Sequence, residues 1–257
     1  MKSSARAAVG LVLLGLAAAG CSDAPVLHLV PTNRVVLAEL FTWQRCGYCP
    51  YAARALESLA VEFADSVVVV AYHRRTAGDT LSPEYVETRC EYYYESGGEP
   101  ATVFDGGPPT RTSDPAQDYE IFRNQILAAK SARPEVQLAL TGSIDSASLT
   151  VDIAVLGVDS TPAETLRLFT VIVEDSVRAT LTGATDSVFN RVMRAMLPDV
   201  HGTPLLLAPG DTVTVTEHAG VQANWNRERL GVVVFVQEPA SHAVLQAARL
   251  ARLEQKE

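Results

Sequence analysis

Apolar residues change their spacing twice along the chain, and the changes divide it. From residue 34 to about 133, strand-like and helix-like pieces alternate. Residues 35–41 are apolar and rich in β-formers. Residues 51–63 place Ala52, Ala55, Leu56, Leu59 and Phe63 at helical spacing. Residues 67–72 are a continuous β-branched run, which predicts a strand buried on both faces. Residues 83–94 read as a helix with proline near its first turn. A short strand over 101–104 is closed by Asp105-Gly106-Gly107, and residues 118–130 are helical, with Ile121, Phe122, Gln125, Ile126 and Ala129 on one face. After Pro134 the period becomes two. Val136, Leu138, Leu140 and Ile144 form one alternating run, and Leu149, Val151, Ile153 and Val155 another. Residues 166–173, 213–216 and 232–236 are further strand candidates. Residues 187–196 are expected to form one helix. Residues 244–253, rich in Ala, Leu and Arg, are helix-compatible, though the segment is also able to begin as a strand.

These patterns predict an α/β domain with a mostly parallel sheet over 34–133 and an antiparallel all-β sandwich domain over 134–257. The start of the chain reads as an export signal over 1–20. Lys2 and Arg6 precede an apolar stretch over 7–19 that is too short for a comfortable membrane span. Residues 21–33 lack periodicity, hold Pro25 and Pro31, and are expected to be a tether reaching at most about 45 Å.

Composition narrows the class. Of 257 residues, 47% are hydrophobic and 20% charged, which excludes a disordered or coiled-coil chain. The formal net charge is −9, and −11 without the first twenty residues. With no basic run, the chain has no electrostatic footprint for nucleic acid, and none is expected as a partner. Four cysteines are too few for a disulfide scaffold but enough for one redox pair.

Cys46-Gly47-Tyr48-Cys49-Pro50 follows the first expected strand and opens the first expected helix. Two cysteines three apart lie about one helical turn apart, so their side chains share a side. The unpaired N–H groups and the positive dipole end at a helix start favour thiolate over thiol, and Arg45 pushes the same way. Thiols in this motif have pKa values of roughly 3.5 to 7.5. A stabilising structural disulfide is the first alternative, but closing so short a loop removes little chain entropy. Half of a zinc site is the second. It needs another ligand pair, whereas His73, His201, His218 and His242 are scattered singly. No metal and no cofactor beyond the Cys46–Cys49 dithiol/disulfide is therefore expected.

The segment Leu16-Ala17-Ala18-Ala19-Gly20-Cys21 resembles the lipobox of bacterial lipoproteins, in which the cysteine is acylated and becomes the new N-terminus. Ala18 departs from the usual Leu. Ordinary secretory cleavage with Cys21 left free is the rival. Ser22 after the cysteine resembles the signal for release to the outer membrane. The implied location is the cell envelope, lipid-anchored at the outer membrane and facing the periplasm.

The C-x-x-C motif, together with Gly98-Glu99-Pro100-Ala101 about fifty residues later, resembles the thioredoxin superfamily. The resemblance implies an α/β thioredoxin-like domain and a cis-Pro100 loop facing the disulfide. It also implies substrate contacts at Pro100, Glu99 and Tyr48. The whole mature chain looks like a narrower group, bacterial outer-membrane lipoproteins in which such a domain precedes a β-sandwich. In that comparison 189–194 and 232–237 occupy the places of recurrent segments. Thioredoxins carry a buried acid six residues before the first cysteine. Here Leu40 stands there and Glu39, one residue earlier, is the nearest candidate for tuning the thiols. A one-residue shift flips the face of a strand. Trp43 is also separated from Cys46, by Gln44 and Arg45. Cys90 is expected to be a buried small hydrophobe, with a resolving role as the alternative. Tyr92, Tyr93 and Tyr94 are expected in core and rim packing, and His73 as a strand-end histidine.

Two functions follow. The first is an envelope thiol–disulfide oxidoreductase of reductase or isomerase type. In it Cys46 attacks and Cys49 resolves, its partners being exported protein thiols or disulfides, an unidentified redox partner, and the membrane through the lipid. The second is a non-catalytic surface or scaffold lipoprotein that binds a partner through its β half.

Overall fold

The computed structural model describes residues 27, 29, 33–75, 78–94, 97–112, 114–159 and 166–256. Cys21, the export signal and most of the tether lie outside the described residues. The first half runs β1 (Val36–Thr42), α1 (Cys49–Glu62), β2 (Val67–His73), α2 (Val86–Tyr93), β3 (Ala101–Phe104) and α3 (Asp118–Lys130). The second half begins with β4 (Val136–Ile144), β5 (Ser148–Gly157), β6 (Leu166–Glu174), β7 (Val177–Arg178), β8 (Val188–Phe189) and β9 (Val192–Leu197). It ends with β10 (Thr203–Leu205), β11 (Thr212–Gly220), β12 (Leu230–Gln237), β13 (Val244–Leu250) and β14 (Glu254–Gln255).

β1 is buried on both faces, and its alternation sorts its residues. Val36, Ala38 and Leu40 pack with Ala52, Leu56 and Leu59 of α1 and with Phe122 and Ile126 of α3. Leu37 and Phe41 face the other way, into a core with Val86 and Cys90 of α2. β1 pairs in parallel with β2 and antiparallel with β3.

The expected α/β thioredoxin-like domain followed by a separate sandwich is overturned by the pairing of β2 with β9. These strands run parallel, with Ala71 opposite Val192, and the Ala71 amide donates to the Arg191 carbonyl at 2.8 Å. The strands of the first half therefore continue into those of the second as one eight-stranded sheet. Its order is β13-β12-β6-β9-β2-β1-β3, with β10 branching from β6. The molecule is mostly β, and the expected boundary near residue 133 does not interrupt the sheet.

One helix expectation falls with this. Residues 187–196 form β8 and β9, while 244–253, left open between helix and strand, begins as β13, paired with β12 from Val232–Leu250 to Gln237–Val244. Met, Arg, Ala and Leu favour helices weakly, by tenths of a kcal/mol. Burial between two sheet neighbours outweighs that preference.

The sheet curls until its ends meet. The Val244 amide donates to the Asp105 carbonyl at 3.0 Å, Gln246 Oε1 accepts from the Val35 amide at 2.8 Å, and Arg34 reaches Asp105 at 2.7 Å. Gly106 makes the approach possible. Its φ is +76°, and a Cβ there would stand 1.6 Å from the His242 carbonyl oxygen. α2 lies within the curl, packed against Phe169, Val171, Val233 and Phe235 from the second half. On the opposite face of β6 and β12, the four-stranded sheet β11-β5-β4-β14 closes a second core.

Candidate functional site

Cys46 and Cys49 form a disulfide, with Cα atoms 5.3 Å apart. Cys49 is the first residue of α1 and Pro50 lies in its first turn, where a missing N–H costs nothing. Tyr48, at the N-cap, supplies no side-chain acceptor. Cys46 Sγ takes that place, accepting from the Cys49 amide at 3.0 Å. The first turn carries no acidic side chain to offset the helix dipole. Once the disulfide opens, the same amide and dipole favour a thiolate at Cys46. Both cysteines are nearly buried, while Tyr48 is 63% exposed beside them and Tyr51 half exposed.

The Glu99–Pro100 peptide is cis, and the Glu99 carbonyl oxygen lies 3.6 Å from Cys46 Sγ. Glu99 thus meets the disulfide through its main chain. Its carboxylate is held at 2.5 Å by Arg74, which also grips Glu87 at 2.8 and 2.5 Å. Burial would lower the Arg74 pKa, but the two carboxylates raise it, so Arg74 stays charged and anchors the loop.

The second half supplies another wall. The Thr185 amide and hydroxyl donate to the Gln44 carbonyl at 2.7 and 3.0 Å, and the hydroxyl lies 3.2 Å from the Cys46 carbonyl. Arg45, expected to tune Cys46, is exposed and donates to the Thr182 carbonyl at 2.8 Å. It ties the cysteine turn to this loop. Behind the turn lies a cleft of about 240 Å³, whose lining includes Cys49, Trp43, His73, Arg54 and Phe189.

His73 does have a partner. Its Nδ1 lies 3.0 Å from Asp79 Oδ2, and both residues are buried. Asp79 also accepts from the amides of Gln44 at 2.7 Å and Leu81 at 3.0 Å. Burial would raise the Asp79 carboxyl, but His73 and these two amides outweigh it and hold the pKa low.

Glu39 does not serve the cysteines as a tuning acid. It lies on the face of β1 that meets α2, whereas α1 packs on the other. There it is paired with Arg89 at 2.9 and 3.0 Å. The one-residue offset from Leu40 has its expected consequence. Cys90 is a buried free thiol, and burial pushes its pKa up. Arg74, Asp79 and Thr185 carry no local motif, and sequence reading missed all three.

The family comparison defines an outer-membrane protein of the cell envelope. Residues 87–256 match the model of the family described as outer membrane protein Omp28, and the chain belongs to that family. Its place is the outer membrane. The matched segment contains Pro100 and the second half but neither Cys46 nor Cys49. HBP35 of Porphyromonas gingivalis is similar in fold, with a TM-score of 0.73 at 17% identity over 87% of this chain and 77% of that one. A protein of Agrobacterium tumefaciens superposes with a TM-score of 0.57, also at 17% identity, over 88% and 98% of the two chains. A domain of the outer membrane lipoprotein Omp28 from Porphyromonas gingivalis reaches only 0.36 at 10% identity, over 48% and 91%, too low to bear on the fold. No curated protein matches the chain by sequence.

Proposed function

We propose that the protein is an envelope thiol–disulfide oxidoreductase of reductase or isomerase type, working through Cys46 and Cys49. The carrying observation is the position of Cys46 Sγ, between the first amide of α1 and the carbonyl before cis-Pro100. A disulfide so placed opens to a stabilised thiolate beside main-chain groups that an extended substrate can pair with. The resemblance to thioredoxin-superfamily proteins is kept here for the chemistry of the site, not for the fold. Substrates are exported proteins with thiols or disulfides, held at Pro100 and the exposed Tyr48, and the site faces the periplasm. The test is insulin reduction by the purified protein in detergent with dithiothreitol as donor. Catalysis that disappears in Cys46→Ser supports the reading, and wild-type protein no faster than dithiothreitol alone defeats it.

A second reading, a non-catalytic scaffold lipoprotein, is favoured by one observation. The family match begins at residue 87 and omits both cysteines. A protein inert toward insulin whose disulfide resists reduction short of unfolding would support it.

A further inference from the structure

Resolution of a mixed disulfide at Cys46 requires Cys49 to lose a proton in a nearly closed space. Cys49 is 2% exposed, at the first turn of α1. The acid expected to serve it, Glu39, is on the wrong face of β1 and committed to Arg89. The cleft that Cys49 lines has another titratable wall. His73 ends β2 opposite Thr42 of β1, and both residues line that cleft. Asp79 holds its Nδ1 at 3.0 Å, and the Phe189 ring stands edge-on at 5.0 Å. A carboxylate on Nδ1 fixes the ring orientation and leaves Nε2 as the exchanging nitrogen. Arg54, Asp186 and Glu57 of the cleft are already engaged. Arg54 lies 3.5 Å from Asp186, and Glu57 accepts from Asn190 at 2.6 Å. Arg191, whose pKa is lowered by burial and by the neighbouring Arg249, is also within the field of Asp175 and Glu57. Among the described residues of this wall, His73 is the group suited to exchange a proton.

We infer that His73, oriented by Asp79, accepts the Cys49 proton during resolution and returns it when the disulfide is reduced again. The inference rests on the proposed redox role of the pair. In the step, the Cys49 proton passes to His73 through water in the cleft. The thiolate attacks Cys46 sulfur, the Cys46–substrate S–S bond breaks, and the Cys46–Cys49 bond forms. The departing substrate thiolate carries the electron pair.

The probe is 5,5′-dithiobis(2-nitrobenzoate) added to the reduced protein in detergent, in a Cys90→Ala background. A first thionitrobenzoate marks attack by Cys46, and a second marks resolution by Cys49. His73→Asn is expected to slow the second release about a hundredfold, within the range of general acid–base catalysis, and to flatten its pH dependence. The first release should be unchanged. A second release with wild-type rate and pH profile in His73→Asn overturns the inference. A wild-type protein with no second release defeats the redox reading itself, and the inference with it. A measurement independent of that variant's folding is the ring ¹⁵N titration of His73 in the reduced protein. It should show an inflection that Cys49→Ser abolishes, and identical curves in the two proteins overturn the proposal.

Discussion

Arg89 on α2 grips Glu39 on β1 through two hydrogen bonds, Nε to Oε1 at 2.9 Å and Nη2 to Oε2 at 3.0 Å. Its remaining nitrogen, Nη1, donates to Gln237 Oε1 of β12 at 3.0 Å. The guanidinium also lies 4.7 to 5.2 Å from the ring centres of Tyr93, Phe169, Tyr92 and Phe235. One buried cation thus joins an acid from the first half to an amide and two aromatic rings from the second. Burial would lower the Arg89 pKa, but Glu39 and the neighbouring phenols outweigh it and keep the group charged.

Removing one partner of such a pair strands the other charge away from water. Arg89→Met is expected to destabilise the protein by about 3–5 kcal/mol. The double variant Glu39→Gln with Arg89→Met should lose less than Arg89→Met alone, because no uncompensated carboxylate remains. Denaturant midpoints of the wild type, both singles and the double measure this. A double variant as unstable as the sum of the singles would show that the two residues act independently.

The curl also bears on the fragment 134–257. Phe169, Val171, Val173, Val233 and Phe235 bury one face of β6 and β12 against α2 and the first half. Alone, the fragment keeps the second core between β6, β12 and the four-stranded sheet but bares that apolar face. It is expected to show strand-type circular dichroism, to bind 8-anilinonaphthalene sulfonate and to melt broadly. A sharp cooperative melt without dye binding would show that the second half stands as a unit.

Sequence reading recovered the first half element by element. There the strand runs are β-branched and the helices carry clear 3.6-residue stripes, as at Leu56 and Leu59. It placed the cysteine motif at the opening of α1 but set Cys46 at the helix start and Cys49 a turn inside, whereas the helix begins at Cys49. The cis peptide at Pro100 was implied by the resemblance and is present. Sequence reading failed where structure depends on a distant partner. Val192–Leu197 reads as a helix because Met, Arg, Ala and Leu prefer one. It is a strand because β2 lies on one side and β6 on the other. The Asp79 carboxylate, six residues beyond His73, and Thr185, 139 residues beyond Cys46, gave no periodic signal. The expected α/β thioredoxin-like fold followed by a separate sandwich failed for the same reason, because one backbone seam at Ala71 and Val192 merges the sheets.

Asp105 at the turn after β3 predicts a pH dependence of stability. Burial pushes its carboxyl up to about 6, against the opposing pull of Arg34 and the Leu37 amide. The unfolded chain holds this group near 3.8. Between those values the folded protein binds a proton that the unfolded chain has released, so Asp105 makes stability fall as pH rises from about 4 to about 6. The full effect is on the order of 3 kcal/mol. Asp79, with a lowered carboxyl, contributes in the opposite sense, stabilising above the ordinary carboxylate range and losing effect on further acidification. Asp105→Asn should remove the first effect alone. The difference in melting temperature between variant and wild type should therefore change across pH 4 to 6 and be flat above about 7. A constant difference would place the Asp105 carboxyl at its ordinary value.

The three thiols of the folded part should separate by reactivity. In the reduced protein Cys46 has the Cys49 amide and the dipole of α1 to favour its thiolate, and exposed Tyr48 beside it. Cys49 stands inside the helix start, facing the cleft with His73. Cys90 is enclosed by the sheet, and burial raises its thiol. Iodoacetamide should therefore label one cysteine fast, with a pKa below about 7.5, and peptide mapping should identify it as Cys46. Cys90 should react only on unfolding. Cys49→Ser should accumulate mixed disulfides with exported proteins, because Cys46 attacks and nothing resolves the product. Cys46→Ser should accumulate none. If Cys49 is labelled first, or if mixed disulfides gather on Cys46→Ser instead, the attacking and resolving roles are reversed. If neither single variant traps a partner while the wild type reduces insulin, the attacking and resolving roles assigned to Cys46 and Cys49 fail.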